Sequence, residues 1–319
     1  MSYLQRRVAL APLLLVTVSF LTFWSLRLIG SNQEIVQGML GTNYTDDNAI
    51  RLTKELGLNR PFFAQYFHWL FNLLQGDLGT SFYSRQSVWS YLKTGLPTSF
   101  QLVIMSLLFG LMLSMPLGII AAYRSGTKLD RGIGLLSFGL LSLPGFVIGI
   151  LLLFTFCVRL RWFPAGQSVP FSQSPWQATY HLIVPAFTLA LGLMATFQRA
   201  LRTDMVNSLQ EDYITLAKSK GLSDRYILLR HALRPSSFTL LTLAGITVGG
   251  LIGNAFIVEN LFTLDGLGRK VIQALFQRDI PVVLSGVMII TFVFVITTTV
   301  VDLLYGVLDP RVRHMRAVA

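Results

Sequence analysis

Six windows of this chain carry no Asp, Glu, Lys or Arg and are long and apolar enough to become membrane-crossing helices. They are Val8–Leu26, Thr94–Tyr123, Gly132–Val158, His181–Phe197, Pro235–Val258 and Ile280–Val301. A hydrocarbon layer about 30 Å thick needs about 20 helical residues at 1.5 Å each. The charge-free run that holds the fourth window begins at Trp162, but its first part is rich in Pro, Ser and Gln, so the span is placed later and is the shortest. The expected fold is an all-α polytopic membrane protein with six transmembrane helices.

Composition agrees. Hydrophobic residues make up 53% of the 319 and charged residues 13%, about half of the roughly 25% usual in soluble proteins. Mean hydropathy is +0.59. So little charge cannot cover a water-facing surface, which excludes an ordinary cytosolic enzyme and a disordered chain. A single cysteine, Cys157, excludes a disulfide framework or a Cys-based zinc site, and four scattered His form no ligand cluster. Arg6 and Arg7 before the first window raise the alternative of a cleaved leader. The window exceeds a usual leader core and no Ala-x-Ala follows, so it is read as a retained helix.

The net charge of +11 would fit nucleic acid in a soluble protein. In a membrane protein the location of Lys and Arg decides, because loops on the cytoplasmic side are enriched in both. With the N-terminus inside, 15 of the 26 basic residues are cytoplasmic, seven of them in Arg199–Arg234. Both termini are therefore expected in the cytoplasm, and no nucleic-acid partner is expected. Residues 1–30 then form the first transmembrane helix, 31–93 a small extracytoplasmic segment between helices 1 and 2, and 94–319 a core with helices 2–6 and a cytoplasmic loop at 199–235. Segment 31–93 holds an amphipathic stretch, Pro61–Leu74, with Phe62, Phe63, Tyr66, Phe67, Trp69 and Phe71. It exceeds an ordinary connection and should fold as a layer of its own.

No constellation for catalysis within the chain is visible. There is no P-loop, no Gly followed by Lys, no H-E-x-x-H and no G-x-S-x-G. Asn43-Tyr44-Thr45 is a glycosylation triplet of a kind that arises often by chance. Arg27 closes the first span, where it can snorkel to the interface, and Asp302 is read as a helix-end or subunit contact. An ion-coupled carrier would place titratable groups near the midplane, and none stands there. Pro116, Pro144 and Pro185 fall inside spans, and Gly245, Gly249, Gly250 and Gly253 cluster in the fifth, read as packing or a subunit seam.

The inner loop is the informative segment. Apolar residues at helical spacing run through 204–219, Gly221 is placed to end that helix in the left-handed region, and Ser223 can cap a second helix, Asp224–Arg234, stopped before Pro235. A surface helix showing Tyr226, Ile227, Leu229 and Leu233 could dock in a partner's groove. By pattern alone the loop reads equally as a docking knob or as a basic topology signal.

The run Tyr213-Ile-Thr-Leu-Ala217-Lys-Ser-Lys-Gly221-Leu-Ser, continuing into Leu-Leu-Arg230-His-Ala-Leu, resembles the coupling loop of ABC-importer permeases of the dipeptide/oligopeptide/nickel branch. Leu56-Gly-Leu-Asn-Arg-Pro61 with Tyr66, Trp69 and Gly76-Asp-Leu-Gly-Thr-Ser81 is similar to the outer loop of that branch's first permease subunit. Glu259-Asn-Leu-Phe, Gly266-Leu-Gly-Arg269 and Gln277-Arg-Asp-Ile-Pro-Val282 resemble its last outer loop, and Leu308-Asp-Pro-Arg311 its C-terminal signature. Two departures stand out. Thr215-Leu216-Ala217 replaces the broader Glu-Ala-Ala, and Leu264-Asp265 stands where an aromatic-Pro pair is common.

The resemblance implies a multi-pass protein of the bacterial inner membrane that forms half of a translocation path for peptides, with nickel or another small solute as second cargo. It implies a second permease subunit, two ATPase subunits that bind ATP and Mg, and an extracytoplasmic substrate-binding protein as partners; this chain itself would hold no cofactor, no metal and no catalytic residue. Carried onto this sequence, the ATPase-coupling residues are Tyr213, Thr215, Ala217, Lys218, Lys220, Gly221, Leu222, Arg230 and Leu233. Those expected to meet the binding protein are Trp69, Gly76, Asp77, Gly79, Gly266, Gly268 and Arg269. An ion-coupled carrier and a non-transporting scaffold are the competing classes.

Overall fold

The structure is a computed structural model that describes residues 3–29, 32–40, 44–55 and 57–308. Asn43, Leu56, Asp309–Arg311, Arg313 and Arg316 lie outside the described residues, as do the side chains of Arg6, Arg7 and Asp302. The described residues form helices, joined by turns and one isolated bridge, Thr80 to Ser87. In order they are α1 (Tyr3–Ile29), α2 (Asn32–Leu40), α3 (Asp46–Glu55), α4 (Phe62–Leu74), α5 (Val88–Lys93), α6 (Leu96–Tyr123), α7 (Lys128–Ser142) and α8 (Gly145–Leu152). Then come α9 (Pro175–Leu209), α10 (Asp212–Ser219), α11 (Asp224–Tyr226), α12 (Leu233–Leu261), α13 (Leu267–Phe276) and α14 (Ile280–Leu308). Single π-helical turns follow α8 (Leu153–Arg159) and α11 (Ile227–Ala232).

Among the described residues, five helical stretches are long and apolar enough to cross a membrane: Leu10–Leu28, Val88–Tyr123, Pro175–Leu209, Asp224–Leu261 and Ile280–Val301. The third expected span, Gly132–Val158, is not one rod. Lys128–Ser142 and Gly145–Arg159 qualify only together and bend by 102° between them. The cause is local. Leu143 is extended (φ −91°, ψ 133°), as a residue before proline prefers, and Pro144 is followed by Gly145, a turn-forming pair. Pro116 and Pro185, flanked by larger residues, stay inside α6 and α9 without a break. The fourth helix is longer than expected. Ser174 caps it by accepting from the Gln177 amide, and Pro175 occupies its first turn, where the missing N–H costs nothing.

The chain gathers into two units. One comprises Met1–Thr98 and Asp265–Ile296, the other Ser99–Leu264 and Thr297–Ala319. In the first, Phe23, Tyr66, Leu58, Ile280 and Leu284 form one buried cluster, and Val88, Leu92, Leu267, Val282 and Val283 form another. Gly95 lets backbone meet backbone there, since a Cβ on it would lie 2.7 Å from the Leu267 nitrogen. In the second unit α9 is central: Leu182, Leu193, Phe197, Leu201 and Met205 pack with Leu102 and Val103 of α6 and with Leu240, Ala244 and Leu251 of α12. A Cβ on Gly245 would come within 2.3 Å of Val301, so this glycine sets the approach of α14, whereas Gly250 and Gly253 face open space.

Candidate functional site

The loop after α9 is built as two helices around a glycine. Gly221 has φ +76°. Its N–H donates to the Lys218 carbonyl at 2.9 Å and the Leu222 N–H to the Ala217 carbonyl at 3.3 Å. This pair of bonds is a Schellman ending, which satisfies carbonyls that the last helical turn leaves open. Ser223 stands at the N-cap of α11 with extended backbone, but its hydroxyl makes no capping bond.

Beneath the turn, Ile214, Ala217 and Ile227 form a small buried cluster with Leu209 packed against it. The chain turns out of α9 at Gln210–Glu211, so the helix expected over 204–219 is two pieces. The Tyr123 hydroxyl donates to the Asp224 carboxylate at 3.0 Å, tying the end of α6 to the start of α11.

The second helix does not stop before Pro235. It continues through the π-helical turn Ile227–Ala232 into α12, making one helical stretch from Asp224 to Leu261. The π turn re-registers the ladder so that Pro235 falls in the first turn of α12, where its missing N–H is tolerated. The carbonyl that would have received it is that of His231, four residues earlier, and the Tyr213 hydroxyl donates to it at 3.4 Å.

The expected coupling residues thus divide. Tyr213, Thr215, Lys218, Lys220, Gly221, Leu222 and Arg230 are exposed, Leu233 is half-buried and Ala217 is buried. Ile227, expected on the surface, is instead part of the lock that holds the two helices together. The exposed apolar side chains are Tyr213, Leu216, Leu222, Tyr226 and Leu229, at 42%, 56%, 36%, 47% and 59%. Around them stand the cations Lys218, Lys220, Arg225 and Arg230, so the knob presents a small apolar face in a basic rim.

The segment after α4 is held differently. Gly76 (φ +83°) closes α4 with the same ending, its N–H donating to Leu73 and that of Asp77 to Asn72. The Asp77 carboxylate then accepts from the Gly79 amide at 2.8 Å. The next turn is pinned by Asp279, which is buried and accepts from the Ser81 hydroxyl and from the Phe82 amide at 3.0 Å and the Tyr83 amide at 3.3 Å.

Of the residues expected to meet a binding protein, Gly76, Asp77 and Gly79 are exposed, while Trp69 and Arg269 are half-buried. Gly266 and Gly268 are buried, the former directly behind Gly95. Next to them Lys270 is buried with its ammonium 3.0 Å from Asp265, donating to the Thr94 hydroxyl at 2.7 Å and the Tyr91 carbonyl at 3.1 Å. It closes the C-terminal end of α5, as a cation does favourably at a helix terminus.

Among the described residues, four buried charged side chains have partners that the sequence reading did not assign. Asp279 and Lys270 are two. The third is Glu259, buried near the end of α12, which accepts from the Ser99 hydroxyl at 2.5 Å. A fourth pairing, Asp130 with Arg202, is bidentate at 2.5 and 2.6 Å and joins α7 to α9, where Arg202 had counted only as a topology charge. Lone carboxylates at helix ends carry no sequence signal for such partners. The Pro144-Gly145 pair, by contrast, carries a local signal for the break in the third span, although the sequence reading takes Pro144 as packing inside one span.

Comparison with known proteins decides the family. Residues 114–314 match the model for the "binding-protein-dependent transport system inner membrane component", and residues 1–103 match that of its N-terminal part, "Binding-prot-dependent transport system membrane comp, N-term". The chain belongs to this family. It is a multi-pass inner-membrane permease subunit of an ABC importer. Among similar permeases, a putative peptide transport system permease protein of Brucella abortus is 35% identical, over 97% of this chain and 98% of its own. The oligopeptide transport system permease protein AppB of Bacillus subtilis is 32% identical over 98% and 99%. The dipeptide transport system permease protein DppB of Escherichia coli is 31% identical over 99% and 100%.

Proposed function

We propose that this permease carries peptides inward and forms half of their path, with a second permease as the other half. ATP and Mg are bound by two separate ATPase subunits, and this chain performs no hydrolysis itself. The observation that carries the cargo reading is that relatives aligned over nearly the whole chain are named for peptides, dipeptides or oligopeptides. Nickel, the other cargo of the resembling branch, is not the cargo for which these relatives are named.

Coupling runs through the knob at 199–235. Its exposed Tyr213, Leu216, Tyr226 and Leu229 seat in a groove of the ATPase subunit, with Lys218, Lys220 and Arg230 at the rim. Gly221 sets the angle between the two helices. On the other side of the membrane, segment 31–93 receives the binding protein through Trp69, Gly76, Asp77 and Gly79, with Arg269 beside them; Gly266 and Gly268 support that surface from within. Residues 94–319 make the translocating core, and both termini are cytoplasmic.

The test is uptake in vesicles holding the complete transporter. Labelled dipeptide should enter only with ATP and the binding protein, and uptake should persist when the proton gradient is collapsed at constant ATP. Loss of uptake to a protonophore under those conditions would favour an ion-coupled carrier, and nickel uptake without peptide uptake would reassign the cargo. For the topology, a cysteine replacing the exposed Ser84 should react with an impermeant maleimide from outside the cell, and one replacing the exposed Ser219 should not. The opposite pattern would invert the orientation.

A further inference from the structure

Among the described residues, one face of the helix α4 is left largely uncovered. Phe63, Phe67, Phe71 and Leu74 are 60%, 61%, 61% and 78% exposed, and their spacing of four, four and three puts them in a single stripe. We propose that this stripe lies in lipid: α4 is seated within the leaflet at the Leu28 end of α1, its phenylalanines against acyl chains.

Depth is the first argument. The adjoining face of α4 packs on α1 well inside the first span, Leu10–Leu28. The Tyr66 and Ser19 hydroxyls share a hydrogen bond of 2.9 Å, the Phe23 and Phe62 rings are 5.1 Å apart, and Phe20 stacks on Phe63 itself at 6.5 Å. At 1.5 Å per residue, positions 19 to 23 lie about 8–14 Å below Leu28 along the helix. Phe63 therefore sits at the depth of Phe20, inside the hydrocarbon. With 13 residues, α4 is about 20 Å long, too short to cross a layer of about 30 Å. It can lie in one leaflet but not span both.

Chemistry on the opposite face is the second argument. Gln65 and Asn72 line a cavity of about 310 Å³ together with Arg27, Lys54 and Arg60. The Arg27 guanidinium donates to the Gln65 amide oxygen, a neutral partner, and the buried indole N–H of Trp69 has no acceptor among the described residues. Arg27, Lys54 and Arg60 stand there beside Glu55 and Asp77, so this edge of the helix is polar and charged, as the side turned toward the headgroup layer must be. An amphipathic helix with phenylalanines on one side and this polar edge on the other has the pattern of one lying in the interface. The inference needs the membrane placement and not the cargo or coupling readings. It confines any binding-protein contact on α4 to the polar edge.

The test uses single nitroxide labels on Phe67→Cys, Phe71→Cys and His68→Cys in the assembled transporter in phospholipid vesicles; the native Cys157 is buried. All three positions are exposed, so the labels replace no core contact. Oxygen partitions into hydrocarbon and a nickel chelate stays in water. The ratio of their effects should be about tenfold higher at 67 and 71 than at 68, as a lipid-facing helix side requires. Equal access of the chelate to all three positions would place the stripe in water and overturn the proposal. Protection of 67 and 71 from both probes would assign the stripe to the second permease and overturn it too. Protection appearing only with the binding protein would assign it to that partner instead of lipid.

Discussion

Two loops of this permease begin with the same local device and put it to different use. Gly76 after α4 and Gly221 after α10 both sit in the left-handed region, at φ +83° and +76°, and both close a Schellman ending. In neither case would a Cβ meet any atom within 4 Å. The difference lies in the chain beyond the glycine. After Gly76 the chain enters a turn held by a buried carboxylate, Asp279, through one hydroxyl and two amides. After Gly221 it enters a helix held by the apolar cluster of Ile214, Ala217 and Ile227, with Leu209 behind it, and by the Asp224–Tyr123 hydrogen bond, while Tyr213, Leu216, Leu222, Tyr226 and Leu229 stay uncovered. A polar anchor fixes a loop by direction and leaves its tip, residues 83–87, exposed. An apolar lock of three residues fixes the angle between two helices and leaves their outer faces free to dock.

The largest effect is expected from valine at the two glycines. Each substitution costs about 1–2 kcal/mol in backbone conformation alone, little against a folding free energy of about 5–15 kcal/mol. Both variants should insert and assemble with the second permease. Gly221→Val should tilt α11, lose co-purifying ATPase and abolish uptake, with Gly221→Ala between it and the parent. Gly76→Val should keep the ATPase, because Asp279 still directs the chain beyond it. If the two valine variants behave alike, the loops do not differ in the way described. If Gly221→Val transports normally, the knob is a topology signal and not a coupling element.

Next in size is removal of the anchor. Asp279→Ala leaves the Ser81 hydroxyl and the Phe82 and Tyr83 amides without their acceptor, at a cost of about 2–3 kcal/mol. Amide exchange over residues 80–87 should accelerate and a protease should nick there, while ATPase capture stays at the parent level. Asp279→Asn, which keeps one acceptor oxygen, should fall between. Unchanged exchange in the alanine variant would show that the turn is held by something else.

The smallest effect is at Tyr213. Its hydroxyl reaches the His231 carbonyl at 3.4 Å, a long bond on a side chain that is 42% exposed, so Tyr213→Phe should cost no more than about 0.5 kcal/mol. ATPase capture should be nearly normal, since the ring remains. A loss as deep as that of Gly221→Val would mean that the hydroxyl itself contacts the partner, which would sharpen the account of the apolar face.

Much of this architecture was legible because its causes are local. A charge-free apolar window makes a span by solvation alone, whatever lies beside it. Gly221 declares a left-handed helix end because its neighbours on either side would suffer there and it does not. Ser174-Pro175 announces a helix start and Pro144-Gly145 a break, although the spans were drawn without using either pair.

The sequence by itself therefore determined the helical type of the elements, where the apolar spans lie, the glycine at the knob and, through its motifs, the family. Tertiary structure alone decided which charges are paired and which faces are spare. Ser81 meets Asp279 across 198 positions, Thr94 meets Lys270 across 176 and Ser99 meets Glu259 across 160, separations over which no residue pattern carries register. Burial followed the same rule. Ile227 and Leu229 look alike in the sequence, yet one is 1% and the other 59% exposed. Helical periodicity says that residues share a face, and only the neighbour packed against the helix says whether that face is covered.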